Sequence, residues 1–278
     1  MIVFPNAKIN LGLNVTAKRN DGFHNIETVF YPVNLCDILE IVKSQNAASM
    51  LFNSGIIIND DTNNNLCIKA LSLMKKDFPI PEVDIFLHKN IPFGAGLGGG
   101  SADAANVLTV LNEMFNLNIS DEKLLQYAAE LGSDCAFFIK NKPQLASGRG
   151  EVLTDINVDL SGYYLVLIKP DLFVATAYAY ANIKPQQPEI KVSEIIAKPV
   201  EEWKYFLKND FENVIFEKFP QIKMIKETLY SRGAIYASMS GSGSSVYGIF
   251  NNAVDTSDFE KDYFVFTERF TNGKSVKF

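Results

Sequence analysis

The residues of this chain best suited to chemistry form a glycine-rich segment at 92–105, which reads PFGAGLGGGSADAA. Five of its glycines lie between Gly94 and Gly100, where the missing side chains let backbone N–H groups approach an anion closely. Ser101 and Asp103 follow as good helix-starting residues, and apolar residues then recur at helical spacing. A helix N-terminus with free N–H groups would face the loop, so the segment predicts a phosphate-binding site.

Residues 94–99 also match G-x-G-x-x-G, the fingerprint of dinucleotide-binding proteins. That fingerprint requires a strand after the loop's helix and an acidic residue about 20 positions further on. Here a second helix is predicted instead, and Asp121 and Glu122 fall at its start. No lysine follows Gly99, as a Walker loop would require, and the H-R-D and D-F-G signatures of protein kinases are absent from the sequence. The loop is therefore predicted to bind phosphate through its backbone N–H groups, and other parts of the chain must supply the cationic and acid/base groups.

Three polar side chains are candidates for those groups. Lys8 stands at the head of an alternating strand, 9–15, which is predicted to bury one face, and an isolated lysine there is usually a snorkelling surface residue. Asp134 follows a glycine and a serine and precedes an apolar run, a position typical of a helix cap. His24 lies in the turn DGFHN, where a histidine usually bonds the backbone. Each residue, taken alone, is explained without catalysis.

A second glycine loop, SGSGSS at 240–245, is predicted between two late strands. An isolated S-G-S-G segment is more often a flexible hairpin connection. Its hydroxyls and small residues also suit a phosphate, and this chain carries two such loops, so both interpretations stay open.

The predicted elements that position these residues form an α+β protein, because strands cluster instead of alternating strictly with helices. The predicted strands are 9–15, 37–42, 83–88, 163–168, 234–239, 245–250 and 263–267. The predicted helices are 101–115, 121–131, 201–208 and 220–232. The apolar run at 163–168 opens a second unit, so we predict domains at 1–150 and 151–278.

Composition narrows the class of protein. A length of 278 residues with 47% hydrophobic residues accommodates two domains with proper cores. The net charge of −6 argues against nucleic-acid binding, which usually needs a basic face. Cys36, Cys67 and Cys135 lie far apart, which favours a reducing cytoplasm over a disulfide framework or zinc site. No signal-peptide pattern and no run of about 18 apolar residues occurs, so no membrane partner is expected.

In order along the chain, six segments resemble the GHMP small-molecule kinases. Three carry the main likeness: PNAKINL at 5–11, the glycine-rich segment at 92–105 and MSGSGS at 239–244. Three more agree with it: RNDGFH at 19–24, LGSDCAFF at 131–138 and GRGE at 148–151. The resemblance therefore spans most of the sequence.

That resemblance implies a two-domain fold, with an N-terminal unit like ribosomal protein S5 domain 2 and a C-terminal ferredoxin-like unit. It implies transfer of phosphate from ATP, with Mg²⁺, to the 2-hydroxyl of an alcohol carried on cytidine diphosphate, in isoprenoid biosynthesis. Lys8 and Asp134 correspond to the catalytic pair. The implied ATP-binding residues are Pro92, Phe93, Gly94, Ala95, Gly96, Leu97, Gly98, Gly99, Gly100, Ser101 and Ala102. The implied substrate-binding residues are Asn10, Phe23, His24, Thr176, Tyr180, Gly241, Ser242 and Gly243.

In the resembled enzymes the positions of Phe23 and His24 recognise cytosine, and an aromatic residue faces the base from its other side. Tyr180 takes that position here, with Tyr178 as the alternative. Two departures stand out: Asn6 is inserted in the usual Pro-Ala-Lys, and Phe23 replaces a common tyrosine, which keeps the stacking face and loses a hydroxyl.

Several alternatives stay open on the sequence. The acceptor alcohol of another GHMP kinase would be homoserine, mevalonate or a sugar. More distant alternatives are an NAD-binding oxidoreductase and a non-catalytic phosphate-binding protein. The expected assembly is a monomer or a weak homodimer, and no side chain is assigned as a metal ligand.

Overall fold

The computed structural model describes residues 1–56 and 64–271. The strands are β1 (Ile2–Val3), β2 (Asn6–Lys18), β3 (His24–Cys36), β4 (Ile38–Lys43), β5 (Met50–Gly55), β6 (Val83–Lys89), β7 (Gln144–Ser147), β8 (Val152–Asp155), β9 (Tyr164–Pro170), β10 (Tyr236–Met239), β11 (Val246–Phe250) and β12 (Tyr263–Arg269). The helices are α1 (Leu66–Asp77), α2 (Gly99–Met114), α3 (Asp121–Leu131), α4 (Cys135–Lys140), α5 (Thr176–Asn182), α6 (Val192–Ile196), α7 (Val200–Phe206), α8 (Phe211–Lys218) and α9 (Pro220–Ser231).

The strands form three sheets, with orders β1-β4-β6-β5, β2-β3-β7-β8 and β10-β11-β9-β12. The third sheet is antiparallel throughout and is built only from the later part of the chain. In the first sheet only the β5–β6 pair is parallel. Helices and strands thus occupy separate stretches, and the α+β prediction is confirmed.

The predicted helices at 101–115 and 121–131 correspond to α2 and α3, and α3 follows α2 without an intervening strand. Ser120 caps α3, since its side chain accepts a hydrogen bond from the Lys123 N–H. At α2 the predicted start is two residues late. Gly98 occupies the N-cap with φ of 72°, so the loop turns directly into the helix, and Ser101 and Asp103 lie inside it.

Strand β2 corrects one prediction. The alternating pattern predicts one buried face, yet the strand is buried on both faces from Ala7 to Leu13. The apolar face, with Ile9 and Leu11, joins the core. The other face carries Lys8 and Asn10 and is covered by the two glycine loops, which supply hydrogen-bond partners for polar groups that would otherwise be costly to bury.

The core consists of packed clusters that cross between the sheets. One cluster joins β2 and β3 to β9, α6 and α7, with Trp203 fully buried in it. A second packs α1, α2 and α3 on the sheet that contains β4 and β6. Burial of each large apolar side chain contributes about 2 kcal/mol, so these clusters hold β2 and the start of α2 firmly. Within 1–56 and 64–271, the helices are all too short or too polar to cross a membrane.

Candidate active site

The first glycine loop alternates glycines that face outward with side chains that anchor it. Gly94, Gly96 and Gly98 have φ of 62°, 75° and 72°, in the left-handed region that glycine adopts without strain. Between them, Ala95 and Leu97 are buried in the core. The Lys8 N–H donates to the Leu97 carbonyl at 2.9 Å, which ties the loop to β2. The loop backbone is therefore exposed on one side and rigidly held on the other.

The two glycine loops lie against each other. The Ser240 hydroxyl donates to the Gly96 carbonyl at 2.8 Å, and the Asn10 N–H donates to the Ser240 hydroxyl at 3.3 Å. A Cβ atom on Gly96 would lie 2.0 Å from the Ser240 carbonyl oxygen. Glycine is thus required at position 96 both for its φ and for this close approach.

Two cavities share the first loop as a wall. The smaller, of about 270 Å³, is lined by Asn64, Asn65, Leu66, Leu87, Lys89, Ile91, residues 92–101 and Asp103. The larger, of about 560 Å³, is lined by Lys8, Asn10, Leu13, Gly22, Phe23, His24, Ile26, Phe30, Gly94, Gly96, Gly98, Ser133, Asp134, Arg149, Thr176, Ala177, Tyr180, Phe211, Gly241, Ser242 and Gly243. Gly94, Gly96 and Gly98 belong to both. Groups bound in the two cavities would meet at these glycines.

The structure brings Lys8 and Asp134 together in the larger cavity. Lys8 is 3% exposed, and its Nζ lies 3.4 Å from an Asp134 carboxylate oxygen. The same ammonium donates to Asn10 Oδ1 at 2.6 Å and to the Gly96 carbonyl at 3.0 Å. Asp134 occupies the N-cap of α4, as the sequence suggests, but its side chain makes no capping hydrogen bond. The carboxylate is therefore available to a ligand in the cavity.

Aromatic side chains form part of the wall of the larger cavity. The ring of His24 stacks on Tyr180 with centroids 5.1 Å apart. Phe23 is 54% exposed, and the guanidinium carbon of Arg149 lies 4.9 Å from its ring centre. Tyr178 contacts Lys218 instead, with the ammonium 3.6 Å from the ring centre, so Tyr180 is the tyrosine that faces the cavity. Tyr180 covers His24, while Phe23 presents an open face.

Burial lowers the pKa of His24, and the charge of Lys18 lowers it further. The neutral imidazole has one N–H donor and one acceptor nitrogen. Such a ring can meet both a donor and an acceptor on a bound base.

The other predicted substrate residues also reach this cavity. Asn10 is buried, and its Nδ2 donates to the Thr28 hydroxyl at 3.0 Å, so its Oδ1 is turned toward Lys8. The Thr176 and Ser242 hydroxyls are 3.0 Å apart, which links α5 to the second glycine loop. Of the predicted ATP-binding residues, 92–101 line the smaller cavity, whereas Ala102 is fully buried in the core cluster that contains Phe137.

Sequence reasoning missed a buried ionic cluster beside the smaller cavity. The Lys89 ammonium pairs with Asp37 and, at 2.6 Å, with Asp103. Asp37 also accepts from the backbone N–H groups of Asn90 and Ile91 at 2.7 and 2.8 Å. Burial raises the pKa of Asp103 to about 7, against the effect of Lys89 and with the help of Asp37. The cluster fastens the end of β6 to α2 and thereby fixes both ends of the glycine loop.

Arg149 also lines the larger cavity, although the sequence analysis assigned it no role. It lies in the GRGE segment at 148–151, where its Nε is 3.5 Å from a Glu151 carboxylate oxygen. The segment itself was the only available signal, because the turn between β7 and β8 reaches the cavity only in the folded chain.

Replacing Gly96 with Ala tests the contact between the loops. We expect the free energy of unfolding to fall by about 2–4 kcal/mol, because the positive φ and the collision with Ser240 both cost energy. The matched control is Gly233→Ala, where φ is 93° and no atom lies within 4 Å of the added Cβ. Denaturant unfolding of both variants measures the difference, and equal losses would contradict a tight contact between the loops.

Both halves of the chain match models of one protein family. The family model for the N-terminal domain of GHMP kinases matches residues 65–142, and the model for the C-terminal domain matches 194–260. Proteins named 4-diphosphocytidyl-2-C-methyl-D-erythritol kinase are similar along nearly the whole chain. The one from Bacteroides fragilis is 54% identical, covering 96% of this chain and 99% of its own, and the one from Bacteroides thetaiotaomicron is 52% identical, covering 97% and 100%.

A solved structure gives the same result. The crystal structure of a 4-(cytidine 5'-diphospho)-2C-methyl-D-erythritol kinase is 30% identical, with a TM-score of 0.81 over 96% of this chain and 98% of its own. The resemblance stated from the motifs is confirmed, and with it a two-domain fold of mixed helices and strands. The chain belongs to the GHMP kinase family, whose members are ATP-dependent kinases of small molecules.

Proposed function

We propose that this chain transfers the γ-phosphoryl group of ATP to the 2-hydroxyl of 4-diphosphocytidyl-2-C-methyl-D-erythritol, a step of isoprenoid biosynthesis. The names of relatives at about half identity support the substrate. The observation that carries the proposal is the wall of three glycines, Gly94, Gly96 and Gly98, common to both cavities. A phosphoryl donor on one side of that wall meets an acceptor on the other beside Lys8 and Asp134.

The smaller cavity fits the phosphates of ATP. Its wall is the backbone of residues 92–101, with Gly94, Gly96 and Gly98 in the left-handed region, and it leads into the N-terminus of the 16-residue helix α2. Unpaired N–H groups and the positive end of the helix dipole favour an anion there. Bound ATP supplies the phosphoryl group that is transferred, and backbone amides of the loop hold its phosphates.

Mg²⁺ is part of the proposal only as an ion held chiefly by the ATP phosphates. The described residues contain no cluster of three or more His, Cys, Asp or Glu side chains that would form a metal site. Mg²⁺ ordinarily keeps several waters and binds through phosphates with one or two carboxylates, so a dedicated cluster is not required.

In the mechanism Asp134 accepts the proton of the substrate hydroxyl as that oxygen attacks. Its carboxylate makes no capping bond and faces the cavity, as a general base requires. Lys8 lies beside it and places a positive charge next to the Gly96 wall, where negative charge grows during transfer. Phosphoryl transfer needs positioning and charge stabilisation more than covalent chemistry, and this pair provides both.

The aromatic end of the larger cavity would take the cytidine. The open face of Phe23 stacks on cytosine, while the neutral ring of His24, backed by Tyr180, meets its polar edge. Arg149 is placed to meet the diphosphate, because it and Lys8 supply the lysine and arginine charges of the cavity wall. Asn10, Thr176 and the turn from Gly241 to Gly243 line the same cavity and would hold the alcohol.

A coupled assay of ADP release tests the function. We expect turnover of the cytidine diphosphate alcohol to exceed that of homoserine, mevalonate or a sugar by at least about 100-fold in kcat/KM, since a site built for hydrogen bonding strongly rejects substrates that lack the partner groups. Faster turnover of one of those alcohols would reassign the substrate. A rise in Tm with NAD(H) and not with ATP would instead favour an oxidoreductase.

Substituting His24 with Ala tests recognition of the base. We expect KM for the cytidine substrate to rise at least about 10-fold, because the imidazole that bonds the polar edge of the base is lost. KM for ATP should stay within about twofold, because His24 does not line the smaller cavity. Steady-state kinetics of His88→Ala provides the control, since His88 lies on the exposed face of β6 and bonds Ser54. An unchanged KM in the His24 variant would make it only a structural residue of the turn.

Substituting Arg149 with Ala tests recognition of the diphosphate. We expect a rise of about 10-fold or more in KM for the cytidine substrate, since a charge-assisted hydrogen bond contributes about 1.5–3 kcal/mol. Arg149→Lys should recover part of the affinity through its charge. If KM rises equally for an acceptor without phosphate, Arg149 acts only by supporting Phe23.

Three further properties belong to the proposal. We divide the chain into domains at 1–150 and 151–278, and the first domain contains the smaller cavity, in which ATP would bind. We propose that the protein acts in the cytoplasm on a small molecule and binds neither nucleic acid nor membrane, in keeping with its net charge of −6. A monomer or weak homodimer suffices, since both cavities are formed within one chain.

A further inference from the structure

Asn209 is a buried side chain that the mechanism above does not use. It lies between α7 and α8 and is 3% exposed. Its Nδ2 donates to the carbonyls of Met239 and Gly241, both at 2.8 Å, and its Oδ1 accepts from the Phe211 N–H at 3.0 Å. Two carbonyls require a donor and one N–H requires an acceptor, so only this orientation of the amide satisfies all three groups.

The two carbonyls bracket Ser240 in the second glycine loop. Ser240 bonds the Gly96 carbonyl of the first loop, and the following residues from Gly241 to Gly243 line the larger cavity. Asn209 therefore fastens the turn to the segment between α7 and α8 through the carbonyls on either side of Ser240. Loss of the bracket would free the turn to shift relative to Gly96.

Asn209 is in turn fixed to the strand that carries the catalytic lysine. The Leu13 N–H donates to the Lys208 carbonyl and the Asp210 N–H donates to the Leu13 carbonyl, both at 2.8 Å. Asp210 also accepts from the Val15 N–H at 2.7 Å. The segment at 208–210 thus pairs with β2. Asn209 in this segment holds the turn and β2 carries Lys8, so the turn and Lys8 are both positioned by the same strand.

We propose that Asn209 is a positioning residue, which sets the second glycine loop against β2 so that the turn from Gly241 to Gly243 and Lys8 face the same transferring group. The inference rests on the proposed kinase function. It assigns to Asn209 no contact with substrate or nucleotide. Its effect on turnover passes through the backbone of the turn.

The test is Asn209→Asp, which keeps size and the acceptor to Phe211 but replaces the donor with an oxygen facing two carbonyls. We expect kcat to fall by about 10- to 100-fold, because a misplacement of about 1 Å in a reacting site has an effect of that order. KM for ATP should change by less than about threefold, because the substitution does not remove the hydrogen bond from the Ser240 hydroxyl to the Gly96 carbonyl of the first loop. Hydrogen exchange at 239–245 should accelerate.

The matched control is Asn112→Asp, at the end of α2 away from the glycine loop. Asn112 also brackets backbone, with Nδ2 donating to the Ile119 carbonyl at 3.2 Å and Oδ1 accepting from the Ile119 N–H at 3.0 Å. We expect this variant to lose Tm without losing kcat. The inference is overturned if Asn209→Asp has the same kcat as Asn112→Asp and if hydrogen exchange at 239–245 is no faster than in the wild type.

A milder variant covers the case in which Asn209→Asp does not fold. Asn209→Ser has a shorter side chain with a single O–H donor, so at least one of the two hydrogen bonds to the Met239 and Gly241 carbonyls is lost and kcat should fall at least about fivefold; an unchanged kcat would again overturn the inference. Wild-type turnover of the cytidine substrate is measured first, so failure of the proposed function is recognised separately. The ratio of variant to wild type is then taken on whichever alcohol the enzyme accepts.

Discussion

Replacing Asp134 with Asn is expected to lower kcat by at least about 100-fold while ATP affinity stays within about twofold, since general-base catalysis contributes about 10²–10⁴-fold. The amide keeps the size of the side chain and removes the basic oxygen that faces the substrate hydroxyl. The carboxylate is about one-third exposed and makes no capping hydrogen bond, so the fold loses little. Measurements of kcat, KM for ATP and Tm separate these effects.

The control for that variant is Asp121→Asn, at the exposed start of α3. An acidic side chain there stabilises the helix through its dipole. It makes the same chemical change and should leave kcat unaltered. A normal kcat in the Asp134 variant would exclude Asp134 as the base. A large loss of Tm would show that Asp134 instead has a structural role.

Replacing Lys8 with Met should lower kcat by about 10²–10³-fold, the size found when one preorganised charge or donor is removed from a developing anion. Lys8 is 3% exposed, and the change leaves Asn10 Oδ1 and the Gly96 carbonyl without their ammonium donor. Some stability is therefore lost as well. Kinetics well below Tm, together with Tm itself, separate the two consequences.

Lys75→Met is the control, since Lys75 pairs with Glu82 at 2.7 Å and lies away from both cavities. It should lower Tm slightly and leave kcat unchanged. The double variant of Lys8 and Asp134 gives a sharper test. If the two residues act as one unit, the double variant is no slower than about the worse single one, whereas independent roles would multiply their effects.

Elements with a strong local pattern were predicted well. Helices α2 and α3 and strands β4, β6 and β9 lie close to their predicted bounds, because periodicity and capping act within a few residues. The 13-residue strand β3 was missed. It buries apolar residues on both faces and contains Pro32, and both features obscure the alternation expected of a strand. Helix α1 was also missed, although its local signals are present: Asn65 caps the Cys67 N–H, and Cys67, Ala70, Leu71 and Met74 form its buried face.

The sequence by itself determined the local chemistry: a glycine loop before a helix, a second glycine turn, and a lysine, an aspartate and a histidine suited to catalysis and recognition. Only the tertiary structure decided that these residues meet. Asn10 and Ser240 are 230 residues apart in the chain and lie in contact, and Lys8 reaches Asp134 across a cavity walled by the first loop. Local patterns record which face of an element is apolar, whereas these contacts depend on how whole sheets pack. Packing also buried Lys8, which its own strand pattern placed at the surface, and gave Asn209 its hold on the second loop.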